Sequence, residues 1–473
     1  MNDTSKCQVD ILIKNGLIVP ATGPHNVITK GAIAINHGKI VELGPNHDIC
    51  NKYIGEKEID AKNKAVMPGL INAHCHFLQD FLKGSRDDLP LVDWIEQVSF
   101  PRIKLAVQDY LAGIHDLQKF ATLHGCITNI KSGITTVLNM EWATPADTIK
   151  IYEDTGIRAI HTLTITDNHN WTPSEAILND EQLFNLTDQL HEHCKASKEE
   201  RVSLSYGLAC PNSCTEGIFI KVRDLANKHQ IPIHIHLAET EYEFNSFSKK
   251  HGKTPTRYLY DLGLLGPDVS AAHAIWLTDA DIELLKKTGT SVVHNPECNM
   301  KIASGIAPIA RMLKAGVNVA LGTDSCAVND NTDLFEAMRI FVMLQRVANL
   351  DSTIVSSYEA LEMATIGGAR SLGLEKKLGS LEPGKLADII LVDLKAANMR
   401  PVNNIINNLV YCANSGNVET VIVNGNLIME KGTILTVNEE EALDEAEAYA
   451  QKRFQEAGLA VPSYYLTSLG EDF

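Results

Sequence analysis

Long apolar runs are missing from this 473-residue chain, and so are several other features that mark special classes of protein. No run of about 18 apolar residues occurs, which predicts no membrane-spanning helix. Residues 1–11 are polar and lack the apolar core of a signal peptide. The 10 cysteines include no Cys-x-x-Cys pair. A chain of this size with that pattern favours reduced, mostly buried thiols and a cytoplasmic location.

Positive charge is scarce as well. The chain has 42 Lys and Arg residues against 59 Asp and Glu residues, which gives a formal net charge of −17. Nucleic acids and anionic membranes attract basic surfaces, so neither is expected as a partner. A hydrophobic content of 44% is typical of a globular protein. The length predicts one large α/β unit and a smaller second unit.

Both ends of the chain contain short strand-like segments. Three pairs typical of hairpin turns lie among them, namely Asn15-Gly16, His37-Gly38 and Asn424-Gly425. The segments lie at 9–13, 17–19, 32–36 and 40–43, and again at 387–392, 418–423 and 426–429. A charged helix is predicted at 439–457, near the C-terminus.

Between these ends, apolar strand-like runs alternate with helix-period stretches. The runs lie at 66–72, 135–139, 157–164, 202–208, 231–237, 269–274, 291–294 and 317–321. Eight strands with intervening helices over about 260 residues have the rhythm of a TIM-type (β/α)8 barrel. Continuous apolar strands suit a parallel sheet that is covered on both faces.

The first of these runs ends in two histidines. It reads AVMPGLINAHCHF at residues 65–77. Side chains at i and i+2 of an extended backbone point to the same face, so His74 and His76 direct two imidazoles toward one point. A lone His-x-His motif also occurs by chance. The interpretation therefore depends on whether the later strands end in residues of the same kind.

Four later strands also end in a residue that can ionise or bind a metal. They are His236 after strand five, His273 after strand six, His294 after strand seven and Asp324 after strand eight. The C-terminal ends of barrel strands share one rim, where the chemistry of such folds lies. His234 is two residues earlier and deeper in the barrel. We expect it to hydrogen-bond behind the rim residues.

This rim predicts a metal-dependent hydrolase. His74, His76, His236 and Asp324 offer three nitrogens and one carboxylate, a set that suits one divalent ion such as Zn²⁺, with Fe²⁺ as the alternative. Such an ion lowers the pKa of water from about 15.7 toward 7. Asp324 is also predicted to accept the proton of the water. Glu239 is placed to carry a proton to the substrate, and His273 to orient the attacking hydroxide.

The same residues resemble a known family. MPGLINAHCH at 67–76 and LGTD at 321–324 closely resemble the amidohydrolase superfamily, and the match to its hydrolytic deaminase branch covers nearly the whole chain. The S-adenosylhomocysteine/5′-methylthioadenosine deaminases and the triazine hydrolases look nearest. The resemblance implies a (β/α)8 barrel and a small β-sandwich formed from both chain ends.

The resemblance also implies domain boundaries and a single metal ion. It implies β-sandwich at 1–66 and 379–437, barrel at 67–378, and a C-terminal helix and tail at 438–473. It implies a mononuclear metal on the four ligands, with Glu239 and His273 handling protons. Strand four lacks the lysine that bridges two metals in binuclear relatives, which favours one metal. We also expect a homo-oligomer, either a dimer or a tetramer.

Two segments resemble the nucleoside deaminases in particular. The sequence GSRDDLPLVDW at 84–94 resembles their loop after strand one, in which an acid at the position of Asp87 binds ribose hydroxyls. HNPECNMK at 294–301 is similar to their strand-seven signature. We therefore expect Asp87, Trp94, Glu239, His294 and Ser325 to contact a small heterocyclic substrate. The alternative for Asp87 is an exposed turn ahead of a helix.

Two positions depart from that pattern. Ala209 stands where those enzymes carry a substrate-contacting His, and Leu163 stands where they carry an Arg. Loss of a buried hydrogen-bonding group changes substrate preference strongly. An adenosine-type nucleoside, such as 5′-methylthioadenosine or S-adenosylhomocysteine, is the leading predicted substrate. An s-triazine amino- or chlorohydrolase and a guanine- or cytosine-type base deaminase are the alternatives.

A second hypothesis is a catalytically silent barrel that serves as a scaffold. Such proteins usually lose metal ligands, and none is missing here. The complete ligand set therefore favours an enzyme, a hydrolase that acts on C–N bonds of cyclic amidines.

Overall fold

The computed structural model describes residues 6–86, 88–170, 172–196 and 200–459. The strands are β1 (Cys7–Ile18), β2 (Ile28–Asn36), β3 (Lys39–Pro45), β4 (Tyr53–Asp60), β5 (Lys64–Pro68), β6 (Leu70–Cys75), β7 (Ile134–Glu141), β8 (Arg158–Ile165), β9 (Val202–Leu208), β10 (Ile233–Leu237), β11 (Val269–His273), β12 (Ser291–His294), β13 (Val319–Leu321), β14 (Ile389–Asp393), β15 (Val418–Val423), β16 (Asn426–Glu430) and β17 (Thr433–Ile434).

Helices lie between and after these strands. They are α1 (Asn46–Lys52), α2 (Leu91–Trp94), α3 (Phe100–Leu111), α4 (Asp116–Lys131), α5 (Thr148–Thr155), α6 (Asp180–Ala196), α7 (Glu216–His229), α8 (Glu241–His251), α9 (Pro255–Asp261), α10 (Asp279–Thr288), α11 (Pro296–Lys301), α12 (Ile309–Ala315), α13 (Leu334–Asn349), α14 (Ser357–Ala364), α15 (Ile366–Ser371), α16 (Ile405–Tyr411) and α17 (Glu439–Glu456). No helix of the described ranges is both long enough and apolar enough to cross a bilayer.

Strands β6 to β13 form a nearly closed parallel barrel. Each pairs in parallel with the next, and at least one α-helix separates each strand from its successor. The last strand returns to the first through a parallel bridge between Cys75 and Asp324, where the Asp324 amide donates to the His74 carbonyl at 2.9 Å. All residues of β7 and β8 are buried, as expected for strands covered on both faces. The predicted barrel is confirmed.

The first barrel run differs from the prediction. The sequence pattern indicated one strand over residues 66–72, but the chain forms two strands, β5 and β6, that belong to different sheets. The break lies at Gly69, where an added Cβ would come 2.1 Å from Thr135 Oγ1. Only glycine fits so close to a neighbouring strand, so the chain changes sheets at this residue.

Both ends of the chain build a second, mixed sheet, as the sequence predicted. Its order is β17-β16-β15-β14-β5-β1-β2-β3, with β4 beside β1. Strand β14 pairs antiparallel with β5 and so joins the C-terminal strands to the N-terminal ones. The domain boundaries inferred from the sequence, at residues 66, 378 and 437, remain our proposal for how the chain is divided.

Strand β1 corrects a second detail. Asn15-Gly16 was expected to form a hairpin turn, but the strand continues through it. Asn15 adopts a left-handed φ of 63°, and the register with β2 shifts between Ile13 and Gly16. The pair therefore forms a bulge, which lets β1 pair with β4 before it and β5 after it. The other two turns occur as predicted, between β2 and β3 and between β15 and β16.

The C-terminal helix α17 occupies almost the range predicted for it. Its buried residues are Ala442, Ala446, Ala450 and Phe454, which are spaced four apart and therefore lie on one face. Phe454 packs in the same apolar cluster as Leu117 of α4 and Trp94 of α2. The helix thus covers α4 and supports the segment that lines the mouth of the barrel.

Candidate active site

Four polar side chains meet at the C-terminal end of the barrel, where the sequence predicted a metal site. They are His74 of β6, His76 directly after it, His236 of β10 and Asp324 after β13. His74, His76 and Asp324 are buried, with His74 fully so, and His236 is half-buried. Among the described residues, His74, His76 and His236 form one group of possible ligands, and His74, His273 and Asp324 form another. The parallel barrel therefore brings the predicted ligands together.

Each of the three histidines is held through its Nδ1 atom. His76 Nδ1 lies 2.6 Å from the Met140 carbonyl, and His236 Nδ1 lies 2.7 Å from the Ala209 carbonyl. A carbonyl only accepts, so both Nδ1 atoms carry the proton and both Nε2 atoms have a free lone pair. His74 Nδ1 lies 2.9 Å from His234 Nε2. The structure thus leaves the three Nε2 atoms for the centre of the site.

The Nε2 atoms face one another without a proton between them. His76 Nε2 and His236 Nε2 are 3.3 Å apart, and two lone pairs at that distance repel unless a cation lies between them. His74 Nε2 is buried and has no hydrogen-bond partner. A buried polar atom without a partner costs free energy, and a metal ion removes that cost. The donor set therefore fits a divalent metal.

Asp324 completes this group. Its Oδ1 lies 3.7 Å from His74 Nε2 and 3.6 Å from His76 Nε2. Ligand atoms at about 2.0–2.1 Å from a tetrahedral zinc ion are about 3.3–3.4 Å apart. The separations in the structure are close to that value. Three histidine nitrogens and one carboxylate oxygen would hold the metal.

Asp324 is positioned by a hydrogen-bond network at the start of its loop. Asn72 of β6 accepts from the Thr323 amide at 3.0 Å and donates to Thr323 Oγ1 at 2.8 Å. A Cβ at Gly322 would lie 2.9 Å from His74 Cβ, so the residue before Thr323 must be small. These contacts tie the end of β13 to β6 and therefore fix Asp324 beside His74.

Backbone strain is concentrated at this rim. His273 has a φ of 71° and Asp324 a φ of 59°, and neither residue is glycine. Ala238 and Ala274, next to Glu239 and His273, each have a φ of 48°. Left-handed backbone costs free energy in non-glycine residues and is found where the surrounding structure imposes it. Each strained residue here either directs a side chain into the site or lies next to a residue that does.

Burial sets the protonation of the site. It lowers the pKa of His236 to about 3, and it lowers the pKa of His74 well below its ordinary value, to which the nearby His76 ring adds. Both rings are therefore neutral at pH 7, the form in which imidazole binds a metal. Burial, followed by the charges of Glu243 and Asp324, raises the pKa of Glu239 well above its ordinary value.

The two predicted proton-handling residues lie next to the metal ligands. His273 Nε2 is 3.5 Å from Glu239 Oε2 and 3.6 Å from Asp324 Oδ2. Its other nitrogen, Nδ1, lies 2.9 Å from Asn299 Oδ1. Glu239, His273 and Asp324 all line one cavity, and His76 and His236 line it too. Their roles in catalysis are not tested by this geometry and remain proposals.

The cavity has a volume of about 350 Å³ and a divided lining. Ionisable groups of the proposed site line one part of it, and apolar and aromatic side chains form another wall. That wall includes Leu91, Trp94, Ile95, Phe100, Ile103, Trp142, Ile302 and Val328. A π-helical segment, Ile95–Ser99, follows α2 and supplies part of the lining. The arrangement suits a heterocycle beside the ionisable groups with an apolar group toward that wall.

The predicted substrate residues fall into three groups. Trp94 lines the cavity, as does Glu239, and Trp94 Nε1 is buried without a partner. His294 and Ser325 are buried at the ends of β12 and β13, but they are not among the described residues that line the cavity. Asp87 lies outside the described residues. Substrate contact therefore stays a prediction for all five residues.

Trp142 and Cys298 are two of the cavity residues that were not predicted from the sequence. Trp142 directly follows β7, so the rule that strand ends face the site could have found it. Cys298 lies in α11, and its sulfur groups with Glu239 and His273. Cys298 lies in the HNPECNMK segment, but that segment did not mark the cysteine itself, because its neighbours in space lie at or after the ends of two other strands.

Comparison with known proteins places the chain in a family. A sequence model of the Amidohydrolase family matches residues 65–428. The chain belongs to the amidohydrolase family. The matched range runs from β5 to β16 and so contains every metal-site residue described above.

Curated relatives of this amidohydrolase are deaminases, which are hydrolases acting on C–N bonds. It is 37% identical to the 5′-deoxyadenosine deaminase of Methanosarcina acetivorans over 444 residues, 94% of this chain and 98% of that enzyme. It is 36% identical to the 5-methylthioadenosine/S-adenosylhomocysteine deaminase of Syntrophobacter fumaroxidans over 437 residues, 92% of this chain and 97% of that one.

Solved structures share the fold. An adenosine deaminase from Xanthomonas campestris with bound zinc has a TM-score of 0.88 and 30% identity, covering 95% of this amidohydrolase and 100% of that chain. An atrazine chlorohydrolase from Arthrobacter aurescens TC1, complexed with zinc, has a TM-score of 0.80 and 23% identity, covering 93% and 99%. At that lower identity the likeness concerns the fold alone.

Proposed function

We propose that this amidohydrolase is a mononuclear metal-dependent deaminase of adenosine-type nucleosides. The observation that carries the proposal is the pair of unprotonated nitrogens, His76 Nε2 and His236 Nε2, which face each other at 3.3 Å beside the unpartnered His74 Nε2. A divalent cation satisfies all three nitrogen atoms at once, and Asp324 supplies the matching negative charge. Zn²⁺ is the proposed ion, with Fe²⁺ as the alternative.

A bound divalent ion supplies Lewis acidity that lowers the pKa of water. The chain's own residues then move the protons. Asp324 takes a proton from the attacking water, and His273 Nε2, which has a free lone pair, accepts a hydrogen bond that orients it. Glu239 donates a proton to the ring nitrogen next to the reacting carbon. A C–O bond forms at that carbon, and the proton held by Asp324 passes to the exocyclic amine. The C–N bond then breaks, ammonia leaves, and the second hydrogen of the attacking water restores the proton on Glu239.

The cavity favours substrates with an apolar 5′ group. The relatives are named for 5′-deoxyadenosine and for 5-methylthioadenosine/S-adenosylhomocysteine. We place the base of the substrate against Glu239 and His273, and the 5′ substituent toward the wall formed by Trp94, Phe100 and Trp142. A 5′-hydroxyl would lose its hydrogen bonds against that wall, whereas a methyl or methylthio group would gain burial.

Metal analysis tests the catalytic centre. The purified protein should contain about one transition metal ion per chain. Treatment with a chelator should abolish ammonia release, and adding back Zn²⁺ should restore it. An active preparation without metal would refute the proposal.

A substrate panel tests the specificity. We expect kcat/KM for 5′-deoxyadenosine and 5′-methylthioadenosine to exceed that for adenosine by about tenfold or more. S-adenosylhomocysteine, guanine, cytosine and s-triazines complete the panel, read by ammonia release and ultraviolet absorbance. Faster conversion of a chlorinated triazine than of any nucleoside would show that the substrate class is wrong while leaving the metal centre intact.

The setting of the enzyme is also part of the proposal. All ten cysteines are free thiols, which supports a reducing compartment such as the cytoplasm.

Helix α13 exposes Met343 and Val347 on one face, and Leu350 follows at 91% exposure. These apolar side chains support a homo-oligomer, which light scattering after size exclusion would reveal as a dimer or a tetramer.

A further inference from the structure

A second group of metal-binding side chains lies beside the predicted metal site. Glu239 follows β10, His273 ends β11, and Cys298 lies in α11. One ligand atom from each of the three lies within 4.8 Å of the others, and all three residues are buried. His273 Nε2 and Glu239 Oε2 are 3.5 Å apart. None of the three belongs to the proposed set of ligands for the first metal.

His273 directs a free nitrogen into this group. Its Nδ1 lies 2.9 Å from Asn299 Oδ1, closer than the 3.4 Å to Asn295 Nδ2, so Nδ1 carries the proton and donates to Asn299. The lone pair is then on Nε2, which is buried and has no hydrogen-bond partner. His273 is 1% exposed. A buried, unprotonated imidazole nitrogen without a hydrogen-bond partner is available to bind a metal ion.

The thiol determines which ions would fit. Cys298 is also 1% exposed, and its sulfur lies within 4.8 Å of a ligand atom of Glu239 and of His273. Sulfur, imidazole nitrogen and carboxylate oxygen together select borderline and soft divalent ions over Mg²⁺ and Ca²⁺. Binding would displace the thiol proton and the proton of Glu239 to solvent as the bonds from sulfur and carboxylate oxygen to the metal form.

We propose that Glu239, His273 and Cys298 form a second, inhibitory site for a thiophilic divalent cation, namely Zn²⁺ in excess or Cd²⁺. An ion held there occupies the lone pair of His273 and the carboxylate of Glu239. The inhibition, unlike the binding, rests on the proposed function, because those two groups are the proposed proton carriers. Metal binding and loss of activity are therefore measured separately.

Cadmium titration of the enzyme with one zinc ion per chain tests the binding. We expect a second equivalent to bind and to produce the ultraviolet absorption of a thiolate–cadmium bond. The first site contains only nitrogen and oxygen donors, so exchange of cadmium for zinc there produces no such absorption. Zinc release is followed in the same titration. A wild-type enzyme that binds cadmium without a thiolate signal would overturn the proposal.

Two cysteine variants locate the site. Cys298→Ser should remove the absorption and raise the dissociation constant of the second equivalent by at least about tenfold, while one zinc per chain remains bound as evidence of folding. Cys210→Ser is the matched control, because Cys210 lines the same cavity but hydrogen-bonds to Ser213 Oγ. It should keep the absorption. Loss of the signal in Cys210→Ser, or its retention in Cys298→Ser, would refute the assignment.

Activity measurements then test the inhibition. Excess Zn²⁺ should inhibit the wild type, and Cys298→Ser should need at least about tenfold more Zn²⁺ for the same fractional loss of its own activity. Glu239→Gln should likewise weaken the second equivalent in the binding assay. Binding without inhibition would show that the second site exists and that the proposed proton carriers are misassigned. Equal zinc sensitivity in both proteins would refute an inhibitory role for the site.

Discussion

His234 lies behind the proposed metal ligands and contacts one of them. Its Nε2 lies 2.9 Å from His74 Nδ1, and its own Nδ1 lies 2.7 Å from Ser270 Oγ. If His74 binds a metal through Nε2, its proton is on Nδ1, and that N–H group donates to His234. The sequence predicted a hydrogen-bonded residue behind the ligands at this position, and the structure confirms it.

Replacing His234 should therefore weaken metal binding. His234→Phe keeps most of the volume but leaves the His74 Nδ1–H group without an acceptor. We expect metal affinity to fall by about 10- to 100-fold. Ser270→Ala, which removes only the outer partner, should cause a smaller loss. Competition with a chelator measures both constants, and an unchanged affinity in His234→Phe would contradict the proposed arrangement.

Glu239 separates metal binding from proton transfer. Glu239→Gln keeps the side-chain volume and removes the transferable proton, so kcat should fall by about 10²- to 10⁴-fold with the first metal still bound. Glu241→Gln, on an exposed position of α8, is the matched control and should keep full activity. Loss of the first metal from Glu239→Gln would mean that Glu239 is a ligand instead.

At the level of elements, most of the proposed site residues lie at the ends of strands, and helices hold the loops that contain them in place. Capping boxes begin several helices, such as Thr240 with Glu243 at α8, directly after the loop that holds Glu239. The cap fixes where α8 begins and so limits the movement of that loop. Helix α17 supports the same face from outside, through the cluster that joins Phe454 to Trp94.

Truncation of Phe454 tests the support from α17. The ring is 4% exposed, so Phe454→Ala should lower the free energy of unfolding by about 3–5 kcal/mol. Gln451→Ala, on the exposed face of the same helix, should change it by less than about 0.5 kcal/mol. Urea titration measures both. Equal stabilities would show that α17 is not packed as described.

At the level of the whole molecule, a buried ion pair joins the barrel to the mixed sheet. Arg158, at the start of β8, donates from Nε at 3.1 Å and from a terminal nitrogen at 3.0 Å to the two oxygens of Asp388. Asp388 also accepts from the Asn424 amide in the turn between β15 and β16. The pair is buried, so its loss leaves an uncompensated charge.

Loss of one charge of this pair should lower the free energy of unfolding more than loss of both charges. Asp388→Leu should lower the free energy of unfolding by about 3–5 kcal/mol, because it leaves Arg158 buried and unpaired. The double variant Arg158→Met/Asp388→Leu should recover part of that loss. Asp154→Ala, in an exposed pair with Lys150, is the control and should cost less than about 1 kcal/mol. Additive losses in the double variant would argue against coupling between the two charges.

The sequence by itself determined the barrel and the four proposed ligands. Apolar runs and helical spacing are local patterns, and parallel strands have their C-terminal ends at one rim, so residues such as His74 and Asp324 could be placed together without coordinates. The C-terminal helix was likewise predicted from a local pattern. The break between two strands at Gly69 could not be predicted, because only the closeness of Thr135 shows that one apolar run is two strands.

Only the tertiary structure decided which groups surround those ligands. His76 hydrogen-bonds to Met140, 64 residues away, and His74 to His234, 160 residues away. Cys298 meets Glu239 and His273 because α11 folds back over the rim. Local patterns contain no information about such pairs. They arise from how the strands are staggered and how the loops pack, and these are properties of the whole fold.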